Sequence, residues 1–140
     1  MIAVVQRVTR AGVFVDDPPH AQTIQSGLCV LLGIERNDKK SDAKWMANKL
    51  SKLRIFCDKE GKMNFSILDM KGELLLISQF TLVANCQHGN RPSFIDAATP
   101  DVAEPLVNEV GFLLGQLKIP VKMGVFGATM RVEIENDGPV

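Results

Sequence analysis

A group of polar side chains stands inside an apolar segment near the middle of the chain. Ser78, Gln79 and Thr81 interrupt the sequence ISQFTLVAN, which is otherwise mainly apolar. Hydroxyl and amide groups can orient a substrate through hydrogen bonds, and a hydroxyl can also attack an ester. The same pattern fits a half-exposed strand, because Gln79 and Thr81 then share the polar side while Ser78 and Phe80 face inward. A binding site and a plain strand are both open at this point.

Two segments near the C-terminus indicate unusual backbone geometry. The sequence GVFGATM, residues 124–130, places two glycines around Phe126, and a glycine inside a strand marks a bulge or a close approach of backbone to a ligand. The final sequence, NDGPV, contains the Gly138–Pro139 bond, and such a bond adopts the cis form at a cost of only about 0.5–1 kcal/mol. Both segments are therefore candidates for a site built partly from backbone.

The common catalytic and metal-binding arrangements have little support. Cys86 and His88 are two residues apart, but a structural zinc site normally needs four ligands and the chain has no second pair of this kind. The sequence contains no G-x-S-x-G elbow, no Walker pattern and no glycine-rich loop before a helix. A Ser-His-Asp triad stays open but has no local support. We expect no metal and no cofactor.

Composition limits the partners of the chain. Sixteen basic and sixteen acidic side chains cancel, so no overall field attracts nucleic acid or a membrane, and an RNA partner would require a local basic patch or shape recognition. No apolar run approaches the roughly 18 residues of a membrane span, and Gln6 and Arg7 interrupt the N-terminal segment where a secretory signal would stay apolar. Three cysteines in separate segments favour reduced thiols in the cytoplasm.

Hydrophobic periodicity predicts strands and one helix in the first half of the chain. The sequence AVVQRVTRAGVFV is typical of a strand with a break at Gly12, and GLCVLLGIE of a strand buried on both faces. Apolar residues then recur every three or four positions in SDAKWMANKLSKLRIF, which predicts an amphipathic helix with Ser41 as its N-cap. Residues 54–85 contain polar breaks at Gly61 and Gly72, a pattern typical of a three-stranded meander.

The second half predicts another helix and the end of the sheet. Thr99 is the predicted N-cap of this helix and Pro100 its first residue, while Pro105 predicts an irregular or tightened start. One or two strands follow in IPVKMGVFGATMRVEIE. We therefore expect a single α+β domain over residues 1–140, with a mostly antiparallel, barrel-like β-sheet and two main helices packed on one side.

Four motifs in order make the chain similar to a known family. They are SQFTL at 78–82, GNRPSF at 89–94, GVFGATM at 124–130 and the terminal NDGPV. With the opening AVVQRV, the LLGI segment and LRIF followed by GKMN, they resemble the D-aminoacyl-tRNA deacylase family, also called D-Tyr-tRNA deacylases, from Met1 to Val140. The SQFTL motif alone is weak, but with a terminal N-x-G-P it is highly specific, and it resembles the D-specific branch.

The resemblance implies a function and a set of site residues. Members hydrolyse the ester of a D-amino acid, or of glycine, on tRNA, and they act as homodimers whose cis Gly-Pro pair enters the pocket of the partner subunit. The residues implied to be catalytic are Ser78, Gln79, Phe80, Thr81, Gly138 and Pro139. Those implied to bind substrate are Phe126, Gly127, Ala128, Met130 and Asn136.

The tRNA body requires cations, and two rival functions stay open. The candidates for phosphate contacts are Lys49, Lys52, Arg54 and Arg91. One rival is a nucleic-acid-binding dimer of the same fold that does not catalyse a reaction. The other is a general esterase for small substrates, which the missing triad disfavours.

Overall fold

The computed structural model describes residues 1–140, in which a long first strand organises the main sheet. Strand β1 (Ile2–Val15) pairs antiparallel with three others, β2 (His20–Ile24), β3 (Gly27–Gly33) and β8 (Arg131–Asn136). The predicted break at Gly12 is wrong, since β1 continues through it and the only irregularity in its pairing falls between Val8 and Arg10. A Cβ on Gly12 would lie 3.0 Å from the Phe14 ring, so this glycine makes room for an aromatic side chain.

The centre of the sheet is parallel. Strand β6 (Glu73–Ser78) pairs with β3, and β7 (Val121–Met123) pairs with β6, both in parallel. Parallel neighbours require a crossover connection, and helix α1 (Lys40–Lys52) lies in the connection between β3 and β6. The predicted meander over residues 54–85 is therefore wrong. Only β6 of that region joins the main sheet, because its run ELLLIS is apolar enough to be buried on both faces.

The remainder of that region forms a small separate unit. Strands β4 (Phe56–Cys57) and β5 (Met63–Phe65) pair antiparallel as a two-stranded sheet, and the single-turn helix α2 (Ile67–Met70) follows. Four of the six strand pairings in the molecule are antiparallel, as predicted.

The two long helices begin close to the predicted positions. Helix α1 starts at Lys40 with Lys39 as its N-cap, so the prediction of Ser41 is wrong; Asp42 Oδ2 accepts the Lys39 backbone N–H at 2.8 Å. Helix α3 (Pro100–Gln116) begins after Thr99, as predicted. It is helical through Pro105, contrary to the expected irregular start, because this proline lies on the exposed face, where water can reach the unpaired carbonyl one turn earlier.

The sheet separates two apolar clusters and nearly closes into a barrel. Leu74 and Leu76 of β6 pack with α1 and α3, while Leu75 and Ile77 pack on the opposite face with the second half of β1. The His20 ring on β2 lies 3.0 Å from the Met123 carbonyl on β7, which links the two ends of the strand order. No helix has the length and apolar character needed to span a membrane.

A charged group fixes the start of β1 to the segment after β3. The Met1 ammonium lies 2.6 Å from Glu35 Oε2 and 2.7 Å from Asp38 Oδ1, and Asp38 also accepts the Glu35 backbone N–H. Burial disfavours the charged form of the amino group, but the hydrogen bonds and the negative charges of the two carboxylates favour that form more strongly. The pKa of the Met1 amino group is therefore raised above its ordinary value of 8.0.

We expect part of the stability of the fold to depend on the charge of the Met1 amino group. A raised pKa in the folded state adds stability below the unfolded value of 8.0, and this contribution is lost as pH rises through the folded pKa. The melting temperature should thus fall as the pH rises above 8.0, and it should fall less in Asp38→Asn, in which only the Glu35 carboxylate still faces the ammonium. Circular dichroism melts of both proteins measure this, and parallel declines would contradict it.

Candidate active site

The polar residues of the SQFTL motif lie where β6 ends. The strand ends at Ser78, and Phe80–Leu82 form a short 3-10 turn. The Gln79 N–H donates to the Leu32 carbonyl at 2.8 Å, one residue beyond the Leu32–Ser78 pair of the ladder. The segment after Ser78 is thus not a strand, and the half-exposed-strand interpretation is wrong for Gln79 and Thr81.

Two backbone N–H groups in this turn are free. The N–H groups of Gln79, Leu82 and Val83 donate to backbone carbonyls, whereas those of Phe80 and Thr81 donate to no acceptor in the protein. Unpaired N–H groups in a cleft can hold an oxygen atom that carries developing negative charge. The turn therefore offers two adjacent donors.

The Thr81 hydroxyl forms a hydrogen bond with a side-chain amide, and no basic group contacts it. Gln79 Nε2 donates to Thr81 Oγ1 at 2.5 Å. No histidine, lysine or carboxylate forms a hydrogen bond with the hydroxyl, so nothing in the protomer would activate it for attack. The contact fixes the two side chains relative to each other.

A largely apolar cavity of about 560 Å³ opens beside this turn. Its walls are the end of β6, the first turns of α3 and the segment between β7 and β8. Seven predicted residues line it: Ser78, Gln79, Phe80, Phe126, Gly127, Ala128 and Met130. Thr81 is connected to it through Gln79.

The remaining wall residues could not be recognised from sequence. They are Leu32, Ile34, Ile77, Ala98, Pro100, Ala103, Val107 and Val132. Nothing in the type or spacing of these small and apolar residues distinguishes them from the core. Phe94 of the GNRPSF motif packs edge-on against Phe80, with ring centroids 5.2 Å apart, so this motif supports the cavity mouth.

The glycines of GVFGATM have separate roles. A Cβ on Gly124 would lie 2.6 Å from Met130 Sδ, so its absence lets the methionine fold back beside the strand end. Gly127 has a φ of +74°, a conformation that favours glycine. Together they turn the chain so that Phe126 and Met130 both line the cavity.

The Gly138–Pro139 corner is held by a buried arginine that sequence analysis did not identify. The peptide bond of the corner is cis. Arg7 Nε lies 3.0 Å from Asp137 Oδ2, and its terminal nitrogen donates to the Ile55 carbonyl at 2.6 Å. The Arg7 backbone also exchanges hydrogen bonds with Asp137 and Val140. With only 7% of its surface exposed, Arg7 holds the end of the chain against β1 and against the residue that precedes β4. Arg7 is distinguished from other arginines by its burial, and burial can be seen only in the structure.

This corner lies far from the cavity of its own protomer. Arg7 pairs with Leu28 of β3, whereas Ser78 pairs with Leu32. Four residues along a strand span about 13 Å. Accordingly Asn136, Gly138 and Pro139 are absent from the cavity lining, and the structure does not bring them together with Ser78 within one protomer.

The predicted tRNA-binding residues lie on α1 and in two connecting segments. Lys49 is on α1 and Lys52 is its last residue. Arg54 is already engaged, since its guanidinium donates to the Asn64 backbone and side chain at 2.7 Å each. Arg91 is exposed in the loop before α3.

Known proteins are similar to this chain over its whole length. A family model described as D-Tyr-tRNA(Tyr) deacylase matches residues 4–140. Relatives named D-aminoacyl-tRNA deacylase from Cytophaga hutchinsonii and Fervidobacterium nodosum are 50% and 49% identical, and each alignment covers 100% of this chain and 93% of the relative.

Solved structures agree with the fold. One described as "c-Myc DNA Unwinding Element Binding Protein" superposes with a TM-score of 0.91 and 41% identity, covering 100% of this chain and 95% of that chain. Another, of "a probable eukaryotic D-amino acid tRNA deacylase", has a TM-score of 0.82 over 98% and 94% of the two chains. Its 15% identity shows a shared fold alone. The predicted fold class and the resemblance carried by the four motifs are confirmed: the chain belongs to the D-Tyr-tRNA(Tyr) deacylase family.

Proposed function

We propose that this chain hydrolyses the ester bond of D-aminoacyl-tRNA, releasing the D-amino acid and free tRNA, and that it also cleaves glycyl-tRNA. The observation that carries the proposal is the pair of unpaired N–H groups on Phe80 and Thr81. They lie in the turn that borders a cavity lined by the motif residues of a deacylase family. Ester hydrolysis requires this kind of donor, because the former carbonyl oxygen gains negative charge as water adds.

The proposed chemistry uses backbone and substrate more than side chains. Each donor to the oxyanion contributes on the order of 3 kcal/mol. Since no base contacts Thr81, water is the nucleophile, and the family resemblance implies that the ribose 2′-hydroxyl of the substrate activates it. Gln79 and Thr81 then hold the turn and orient the ester.

Discrimination between D and L residues requires rigid contacts around one carbon atom. The end of the chain is bonded to Arg7, whose partner on β3 lies four residues, or about 13 Å, from the partner of Ser78. We therefore assign Gly138 and Pro139 to the pocket of a partner subunit in a homodimer. Their carbonyl oxygens would collide with the side chain of an L residue, which gives rejection by steric conflict. Glycine has no side chain to collide with them, so glycyl-tRNA is accepted as a substrate.

The corner is suited to this task because it has little freedom to move. Gly138 has a φ of +125°, and a Cβ there would lie 2.9 Å from the Val140 side chain and 3.2 Å from Arg7. A side chain at this position is therefore strained and crowded. The fork of contacts from Arg7 fixes the residues on both sides.

The surroundings of the thiols fit a cytoplasmic enzyme. All three cysteines are free, and burial raises the pKa of the Cys29 thiol to about 11, which keeps it protonated and unreactive. The tRNA body would be contacted by Lys49, Lys52, Arg54 and Arg91, with a smaller share for Arg54 because Asn64 already engages it.

A second candidate function is nucleic-acid binding without catalysis. It is favoured by the 41% identical structure described as a DNA unwinding element binding protein. Hydrolysis distinguishes the two candidates, because binding alone leaves the ester intact.

We expect the purified protein to cleave D-aminoacyl-tRNA and glycyl-tRNA and to spare L-aminoacyl-tRNA by at least about a hundredfold in kcat/KM. The reason is the steric conflict at the cross-subunit corner. Release of labelled amino acid from matched D- and L-charged tRNA measures it, with a small nitrophenyl ester as the control for general esterase activity. Equal cleavage of both enantiomers, or of neither, would contradict the proposal, and DNA binding without cleavage would favour the second candidate.

Thr81→Ala should keep deacylation within about tenfold of the unchanged protein, because only one hydrogen bond to Gln79 is lost. Thr81→Ser, which retains the hydroxyl, should lie closer to the parent. Single-turnover assays on D-aminoacyl-tRNA separate the chemical step from product release. A complete loss in the alanine variant with retention in the serine variant would establish Thr81 as the nucleophile.

Arg7→Lys should lower the selectivity of cleavage for the D substrate over the L substrate while the protein still folds. Lysine keeps the charge opposite Asp137 but cannot reproduce the guanidinium fork that also reaches Ile55. The ratio of D to L cleavage should fall by about tenfold or more, through faster cleavage of the L substrate. Arg10→Lys, at an exposed position on the same strand, is the matched control. An unchanged ratio in a folded Arg7→Lys protein would show that Arg7 does not position the corner.

A further inference from the structure

The outer face of α1 is basic and has no acidic partner. Four lysines are exposed on this helix: Lys40, Lys44, Lys49 and Lys52. None of them takes part in an ion pair. The single acid of the helix, Asp42, is used by the backbone N–H of Lys39.

This concentration is unexpected in a chain with a net charge of zero. The neighbouring helix α3 carries Asp101, Glu104 and Glu109 and has no lysine or arginine. The two helices pack against each other over the same core. The helical layer therefore has one basic and one acidic helix, and neither neutralises the other through an ion pair.

The only tryptophan of the chain lies within the basic face. Trp45 is 60% exposed, and Lys49 Nζ lies 5.3 Å from its ring centroid. Most large aromatic side chains bury more of their surface than this. An exposed indole beside lysines has the composition of a surface on which nucleic-acid bases stack while phosphates are neutralised.

The dimensions of the face suit a short length of polynucleotide. Lys40 and Lys52 are separated by about 18 Å along the helix, with Lys44 between them and Trp45 and Lys49 alongside. Helix α1 packs on α3, whose first turns line the cavity. The face is therefore about one interhelical distance, 8–10 Å, from the helix that forms the cavity wall.

From these observations we infer that the outer face of α1 binds the phosphate backbone of the tRNA substrate, with a base stacked on Trp45. The inference deepens the proposed function and rests on it for the identity of the RNA. A membrane fits less well, because Ala43, Met46 and Leu50 are buried, which leaves only the indole to enter lipid.

The test uses Trp45 as its own reporter. The chain has one tryptophan and no tyrosine, so its emission comes from this face. Deacylated tRNA should quench the emission, and the dissociation constant should rise by about tenfold to a hundredfold in Lys44→Gln/Lys49→Gln/Lys52→Gln at low salt. The slope of log K against log salt should become shallower by about 2. Trp45→Ala should bind tRNA about fivefold or more weakly, as measured by filter binding.

The matched control removes the same charge elsewhere. Lys59→Gln/Lys71→Gln/Lys122→Gln changes three exposed lysines outside α1 that form no ion pair and should bind tRNA like the unchanged protein. Equal affinity of the two triple variants would overturn the inference, and so would quenching by vesicles of equal parts phosphatidylglycerol and phosphatidylcholine without quenching by tRNA.

Deacylation assays keep the two proposals separate. If D-aminoacyl-tRNA is cleaved and its KM is the same in both triple variants, the α1 surface is refuted while the enzyme assignment stands. If nothing is cleaved but tRNA still quenches Trp45 and the α1 variant alone loses affinity, the surface stands as an RNA-binding site and the enzyme assignment fails.

Discussion

The parallel pairing of β3 with β6 is the constraint on which the site depends. Both strands are buried on both faces, so their side chains are shared between two apolar clusters and neither strand can slide without exposing one of them. The register is also fixed at its first pair, because a Cβ on Gly27 would lie 1.8 Å from the Glu73 carbonyl oxygen. With that register set, Ser78 must end opposite Leu32, and the turn with the two free N–H groups must follow at the edge of the cavity.

The two candidate functional regions of the molecule, the cavity and the Gly138–Pro139 corner, are supported in different ways. The cavity is built by the ends of elements: the exit of β6, the entry of α3 and the turn between β7 and β8. The Gly138–Pro139 corner is instead held by a single buried cation and a few backbone hydrogen bonds. Apolar packing sets the first, and polar contacts set the second.

Local patterns were sufficient for the elements with strong periodicity. The apolar run of β3, the amphipathic α1 and the Thr99–Pro100 start of α3 follow from residue types alone. Some motif residues stood out as glycine, proline or polar residues inside apolar segments, whereas others, such as Phe80, Ala128 and Met130, were implied only by the resemblance to a known family. Seven of them do meet in the cavity.

The pairing of strands and side chains that are distant in the sequence could not be predicted from local patterns. A hydrophobic run such as ELLLIS fits a meander strand and a buried parallel strand equally well, and the choice depends on what covers its second face. Arg7 looks like any polar residue in an alternating strand, and its role appears only when Asp137 and Ile55 are brought to it from distant parts of the chain. The apolar wall of the cavity was missed because its residues are chemically identical to the core.

The separation of charge between α1 and α3 means that a neutral molecule can still have a large electric dipole moment. In the electric field of a polyanion, such a protein would rotate so that its lysines face the polyanion before contact. Its association rate would then depend on ionic strength although its formal net charge is zero. The same asymmetry would let it adhere, near neutral pH, to both cation- and anion-exchange resins, each through a different helix.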